Sequence, residues 1–163
     1  MGIHGQFVFF AGTKKEIIIP NTITDEGEIA FLKMIGRAEV GDVAAGGNFF
    51  VGLCSDVPGE TDTLAGITTE LSAAGGYARK PIDRNSTGWP NLVASGEAHK
   101  LQSLQVDFTA TGANFSTMFE RAFLCNVVSG TIGLLFAYSG LLPDPVQILD
   151  GQTFSMRYEL YLR

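Results

Sequence analysis

Four acidic residues, Asp56, Glu60, Asp62 and Glu70, gather in one loop-rich stretch and come nearest to a recognisable chemistry. Two carboxylates at a set separation are what glycoside hydrolysis needs, and clustered oxygen ligands are what Ca²⁺ takes. The stretch lacks the regular D-x-D-x-D-G order, and carboxylates in loops ordinarily serve as solvated charge. The two histidines, His4 and His99, have no second ligand at metal spacing, since neither H-x-x-x-H nor C-x-x-C occurs. No Gly-x-Ser-x-Gly elbow accompanies His99, which precedes Lys100 in what reads as a surface connection. Glycines are plentiful, yet no G-x-G-x-x-G opens a helix and the Walker pattern is missing. The expectation is therefore a protein that is not an enzyme, with no catalytic residues, no metal site and no cofactor.

Recognition residues are easier to find. Trp89, the only tryptophan, sits between Gly88 and Pro90. It either plugs one end of the fold or anchors a partner, and with Asn91 it forms the one candidate sugar site. Tyr77 and Arg79 share a side of a strand-like run by alternation, and both types are enriched at interfaces. Phe7, Phe9 and Phe10 lie in an opening segment that reads equally as half of a hairpin or as an arm, residues 1–11, packed on a neighbouring subunit. The candidate partner-interface residues are thus Phe7, Phe9, Phe10, Tyr77, Arg79 and Trp89.

Composition points the same way. Apolar residues make up 45% of the 163 residues and charged ones only 17%, against a usual charged share of about 25%. A chain short of charge but holding 12 Phe and 20 Gly is expected to bury outer surface against other subunits. The alternative is a monomer with a surface of Ser, Thr, Asn and Gly. A net charge of −6 argues against nucleic acid, because phosphate binding needs clustered Lys and Arg, and Lys14-Lys15 and Arg79-Lys80 do not extend into patches. No apolar run approaches a membrane span of about 18 residues, and the start has no basic n-region of a secretory signal. Cytoplasmic synthesis and reduced, buried Cys54 and Cys125 follow as expectations, with a disulfide open if their strands face each other. The sequons Asn85-Ser86-Thr87 and Asn114-Phe115-Ser116 have no consequence without secretion.

The elements that must position these residues are mostly strands. Gly46 to Pro90 organises the chain, with strand-like runs Asn48 to Ser55 and Tyr77 to Arg84 joined by a loop-rich excursion. Within it Leu64, Ile67 and Leu71 recur at helical spacing and suit a short turn covering one end of a sheet. Gln6 to Phe10 and Glu16 to Ile19 flank a turn at Gly12 to Lys15, and Pro20 ends the second run. Asp25 with Glu28 has capping-box spacing and predicts a helix to about Arg37, with Ile29, Leu32, Met34 and Ile35 mostly on one face. A small-residue loop, Gly41 to Gly47, follows. Gly96 to Ala98 leads into an alternating strand, Leu101 to Ala110, and Met118 to Val128 and Thr131 to Tyr138 form a hairpin. Val146 to Leu149 is a short run before an Asp150-Gly151 turn. The final run, Thr153 to Arg163, puts Phe154, Met156, Tyr158, Leu160 and Leu162 on one face. About eight short strands and one early helix, near residues 25–37, predict a mainly β single domain over residues 1–163. This count is the signature of an antiparallel sandwich or barrel, and the expected fold is a sandwich of the jelly-roll kind.

Several pieces, in fixed order, resemble a group of small virion structural proteins of tailed bacteriophages. They are Asn21 to Leu32 (NTITDEGEIAFL), Phe50 to Leu53 (FVGL), Thr63 to Leu71 (TLAGITTEL), Gly76 to Lys80 (GYARK), Gly88-Trp89-Pro90, and Gly151-Gln152-Thr153 with the strand Phe154 to Leu162. Together they cover most of the chain. The resemblance implies a virion component made in the host cytoplasm, and a capsid decoration (cement) protein fits best. Such a protein is a compact β-fold, often a homotrimer, on the outer capsid surface, with the major capsid protein and its own copies as partners and neither nucleic acid nor membrane. A tail or neck component and a carbohydrate-binding or receptor-binding module are the alternatives.

Overall fold

A computed structural model describes residues 3–11, 15–37, 47–95 and 98–162. Among the described residues, ten strands and one α-helix make a mainly β fold whose strands form one curled antiparallel sheet. The strands are β1 (Ile3–Ala11), β2 (Lys15–Ile23), β3 (Phe49–Cys54), β4 (Lys80–Ile82), β5 (Asn91–Ser95), β6 (Ala98–Gln102), β7 (Val106–Thr109), β8 (Arg121–Cys125), β9 (Leu135–Ser139) and β10 (Thr153–Leu162). Helix α1 spans Asp25–Gly36. Hydrogen-bonded neighbours run β4-β3-β8-β9-β2-β1-β10-β6-β5, with β7 also paired to β10.

Two long strands make the sheet curl by changing partners along their length. β2 pairs with β1 over residues 15–20 and with β9 over Asn21 to Ile23. Pro20 stands at that change and does not end the strand, because a residue without an N–H is tolerated where the ladder is handed over. β10 likewise pairs with β7 over Thr153 to Met156 and with β6 over Glu159 to Leu162. The expected single strand Leu101 to Ala110 is broken at Ser103–Gln105 for this reason. There the Ser103 N–H donates to the Tyr158 carbonyl at 2.9 Å, and the Ser103 hydroxyl accepts from the Tyr158 N–H, also at 2.9 Å.

The inner faces of the two halves share one core. Phe7, Phe9, Val106, Phe108, Met156 and Tyr158 come from one half, and Phe49, Val51, Leu53, Leu124 and Phe136 from the other. The alternation expected for the last strand holds, with Met156 and Tyr158 buried and Phe154 and Leu160 packed beside them. A second cluster lies on the far side of β3 and β8. Cys54, Phe123 and Cys125 are covered there by Leu64 and Ile67 of the excursion, where Leu64–Gly66 form one 3₁₀ turn.

Phe7 and Phe9 have no exposed surface, and β1 lies between β2 and β10. The reading of residues 1–11 as an interface arm gives way to the hairpin reading, since these rings fill the chain's own core. Of the run Tyr77 to Arg84, only β4 is strand, and β9 begins four residues later than the expected Thr131. β5 was not foreseen. The turn residues 12–14, the loop residues 41–46 and residues 96–97 lie outside the described residues.

Helix α1 starts one residue earlier than the Asp25 cap predicts. Thr24 is the cap, accepting from the Gly27 N–H at 3.1 Å while its hydroxyl donates to the Leu135 carbonyl. Gly27 is required here, because a Cβ would stand 2.2 Å from the Phe136 carbonyl oxygen. The close approach turns the helix: Ala30 is buried and Phe31 meets Phe136 edge-on at 6.0 Å, while Ile29 and Leu32 face outward, 52% and 67% exposed.

Candidate functional site

Three pieces of sequence converge on one carboxylate. The excursion brings Glu70 back beside β3 through an isolated bridge with Cys54, and the turn Ala74–Gly76 then delivers Tyr77 and Arg79 to the same place. Arg79 Nε donates to Glu70 Oε1 at 2.8 Å and Nη2 to Oε2 at 2.6 Å. Its remaining donors reach the Val127 carbonyl at 3.1 Å, Cys125 Sγ at 3.4 Å and the Gly130 carbonyl at 2.9 Å, so all five guanidinium N–H groups are used. Tyr77 Oη donates to Glu70 Oε1 at 3.0 Å and accepts from the Leu53 N–H at 2.9 Å.

The electrostatics of this knot favour permanence. Burial alone would lower the Arg79 pKa, but the hydrogen-bonded Glu70 carboxylate outweighs it and raises the value. Burial, with the Glu70 charge added, pushes the Tyr77 phenol well up. Burial pushes the Cys54 thiol to about 12 and raises Cys125 as well, so both are poor nucleophiles. Both thiols are free and buried. Their strand register pairs Cys125 with Phe50 and Cys54 with Arg121, at opposite ends of the β3–β8 ladder. Tyr77 and Arg79, expected at an interface, are interior residues, 6% and 5% exposed. The knot is a fold-building device that ties the excursion and the β8–β9 connection to the sheet.

A second arrangement has room for a ligand. A cavity of about 400 Å³ opens at the end of the core between α1, the inner sheet face and the segment 84–89. Phe31, Phe49, Leu101, Leu124, Phe136 and Leu160 make apolar walls, while Arg84, Asn85 and Ser86 form a polar lip on one side. Trp89 is half-buried at the rim, held edge-on to Phe49 at 6.3 Å and to Tyr158 at 6.1 Å. The lip is rigid: Asn85 Oδ1 accepts from the Thr87 and Gly88 N–H groups at 2.8 and 2.9 Å, and Trp89 N–H donates to the Asn85 carbonyl at 3.0 Å. Gly88 fits against Asp83, whose carbonyl oxygen would lie 2.0 Å from a Cβ. Arg84 lies over the Phe49 ring at 5.5 Å and reaches Met34 Sδ at 3.1 Å. Burial lowers its pKa. Trp89 thus packs against one end of the core.

A third cluster sits on the outer face of β10. Glu159 has no exposed surface. It accepts from Gln6 at 2.6 Å, Gln102 at 2.6 Å and Arg157 Nε at 2.8 Å, and pairs with Lys100 Nζ at 3.0 Å. Burial opposes its charge, but these four partners together hold the carboxyl below its usual range. Arg157 also lies over Phe10, which is half-buried, at 5.3 Å, and pairs with Glu16 at 3.2 Å. His4 stacks on Tyr161 at 5.8 Å.

The acidic loop separates into local tasks. Asp56 accepts from the Thr69 N–H at 2.6 Å and from the Thr68 hydroxyl at 3.0 Å, and these bonds overcome burial and lower its pKa. Asp62 accepts from the Gly59 N–H at 2.6 Å. Among the described residues no three His, Cys, Asp or Glu side chains stand together as a metal would need.

Sequence reasoning missed Glu70 as the hub, Glu159 as a buried charge and the walls of the cavity. The signal for Glu70 was its place beside buried Leu71, just ahead of Tyr77 and Arg79. That for Glu159 was its two apolar neighbours, Tyr158 and Leu160. No family model, no curated protein and no solved structure matches this chain.

Proposed function

We propose that this chain is a structural protein of a tailed bacteriophage virion, a decoration (cement) protein on the outer capsid surface that bridges capsomers. The observation that carries the reading is the apolar surface. Ile29 and Leu32 on α1, Val57 and Met118 near the excursion, Leu92 and Leu104 beside the β5 edge, and Ile132 in the β8–β9 connection are each between 49% and 94% exposed. They come from several elements of a chain with few charges, and the two together suit a protein that contacts neighbours.

The resemblance adds support because its pieces have a shared physical purpose here. FVGL supplies the Leu53 N–H, TLAGITTEL supplies Glu70 and GYARK supplies Tyr77 and Arg79, and these close one hydrogen-bonded knot. For the architecture we propose a sandwich of the jelly-roll kind, in which the two halves of the curled sheet are its layers. Tyr77 stacked on Phe108 at 6.0 Å, and Lys80 over the same ring at 5.9 Å, bring the β4 edge against β7 and favour that arrangement.

Function on this reading is mass action. Each bound copy stabilises the expanded shell by RT ln(1 + [L]/Kd), about 2.7 kcal/mol at a hundredfold excess over Kd, and many sites add. Self-association, as a homotrimer, gives a bridge with several equivalent contacts. The test is the copy number of the chain relative to the major capsid protein in purified virions, with sedimentation equilibrium of the isolated chain. A copy number commensurate with the shell lattice supports decoration. A handful of copies per particle moves the protein to the neck or tail, and none at all ends the virion reading.

A further inference from the structure

We infer that the cavity beneath Trp89 binds an uncharged aromatic molecule, whose ring joins five rings that already stand edge to face in its wall. Phe31 of α1 meets Phe136 of β9 at 6.0 Å, and Phe136 meets Phe49 of β3 at 5.0 Å. Phe49 meets Trp89 at 6.3 Å, and Trp89 meets Tyr158 of β10 at 6.1 Å. The four contacts are all T-shaped, with interplanar angles from 61° to 88°. All five rings line the cavity, whose volume of about 400 Å³ falls within the range of small-molecule pockets. Loosely walled voids in a core close up, because side chains regain their lost contacts by collapsing inward. This one is braced by a continuous arc of rings from separate parts of the chain, and at its rim Gly88 abuts the Asp83 carbonyl.

The lining selects both the ring and its neutrality. Leu101, Leu124 and Leu160 complete the apolar wall, which offers water almost no hydrogen bonds, so a hydrocarbon displaces it at little loss. An aromatic ring gains more than an aliphatic one of the same size, because it can set its edge on a wall face or its face on a wall edge. Charge is selected against. Arg84 lies over Phe49, reaches Met34 Sδ at 3.1 Å and has further interactions, so it is not a free cation for an anionic head. The Asn85 side-chain oxygen is engaged by Thr87 and Gly88, and the Tyr158 hydroxyl by Asn21 at 2.6 Å. Among the described residues no acidic side chain lines the cavity. A carboxylate or an ammonium would therefore shed its hydration with no opposite charge to replace it. The inference goes beyond the virion reading and does not depend on it.

Trp89 is the only tryptophan in the chain, so its emission reports on the rim directly. The full chain is titrated with phenethyl alcohol, phenylacetate, phenethylammonium and cyclohexylethanol, with excitation where none of the probes absorbs. Phenethyl alcohol is expected to shift the emission saturably. Both charged homologues are expected to bind about tenfold more weakly for want of a counter-charge, and cyclohexylethanol about threefold more weakly for want of edge-to-face contacts. Leu101→Phe sets a ring of the chain's own in the cavity and is expected to abolish the shift, with cooperative thermal unfolding showing that the variant is folded. The inference is overturned if phenethyl alcohol gives no saturable shift, or if either charged homologue or cyclohexylethanol binds as tightly as it does. It is overturned equally if folded Leu101→Phe keeps the wild-type affinity. Should that variant not fold, the probe series on the unaltered protein decides alone.

Discussion

Arg79 grips Glu70 with two nearly parallel hydrogen bonds, of 2.8 and 2.6 Å, inside a chain that brings both residues from irregular segments. The pair does what a longer strand would otherwise do. Residues 55–79 contain two 3₁₀ turns and an isolated bridge, so few ladder bonds hold them, and the guanidinium supplies fixed points on Glu70, Val127 and Gly130 instead.

Breaking this pair is costly because the groups left behind are enclosed. Arg79→Ala is expected to destabilise the protein by about 3 kcal/mol, and Arg79→Lys by nearly as much, since an ammonium cannot reproduce the fork. Urea unfolding with an unchanged m-value checks this. A loss below about 1 kcal/mol, the range of exposed pairs, would show the knot to be ornamental.

Glu159 predicts a pH signature. Its folded pKa lies below the ordinary 4.5, so its contribution is complete above that value and is lost as pH falls through the folded value. Glu159→Gln is therefore expected to cost about 3 kcal/mol at pH 7, and the gap from wild type to narrow steadily below pH 4.5. Asp56 has the same sign but is common to both proteins and cancels in the difference. Paired denaturation curves at neutral and acid pH test it; a gap that widens in acid would mean that the folded carboxyl is not held ionised.

Gly88→Ala places a methyl where the Asp83 carbonyl stands. Relief requires the lip to move, and a loss of about 1–3 kcal/mol is expected together with a red shift of Trp89 emission. An unshifted emission would show that the rim yields without disturbing the ring.

Removal of residues 1–11 is expected to abolish cooperative unfolding altogether. β1 is hydrogen-bonded on both sides, and Phe7 and Phe9 are among the largest side chains of the core. A truncated chain that still melts cooperatively would restore the arm.

The parts of this fold legible in the sequence were those with local causes. Acidic residues at the start of α1 and the alternation of β10 depend on neighbours a few positions away, and both were read nearly in place. What was not legible depended on distant partners. Three phenylalanines in a short run suit a partner's surface as well as a core, and only the pairing of β1 with β10 decides between them. The break at Ser103–Gln105 is hidden because alternation continues through it, although Leu104 ends up 49% exposed. Glu159 alternates with the apolar face of its strand, and nothing local marks it as buried; its burial comes from Gln6, Gln102, Lys100 and Arg157 on three strands. The Glu70 knot joins residues close in sequence, yet its meaning needed Leu53, Val127 and Gly130 to be seen beside it.

The register of β1 on β10 runs from Ile3 opposite Leu162 to Phe10 opposite Ser155, so two neighbouring strands in the middle of the sheet come from widely separated parts of the chain. At a synthesis rate of about 5–20 residues per second, β1 leaves the ribosome on the order of ten seconds before its partner exists. In that interval Phe7 and Phe9 have no lawful neighbour, and β1 has only β2 to pair with. Pairing strands so far apart in sequence gives this chain a high contact order and makes its folding slow for its size.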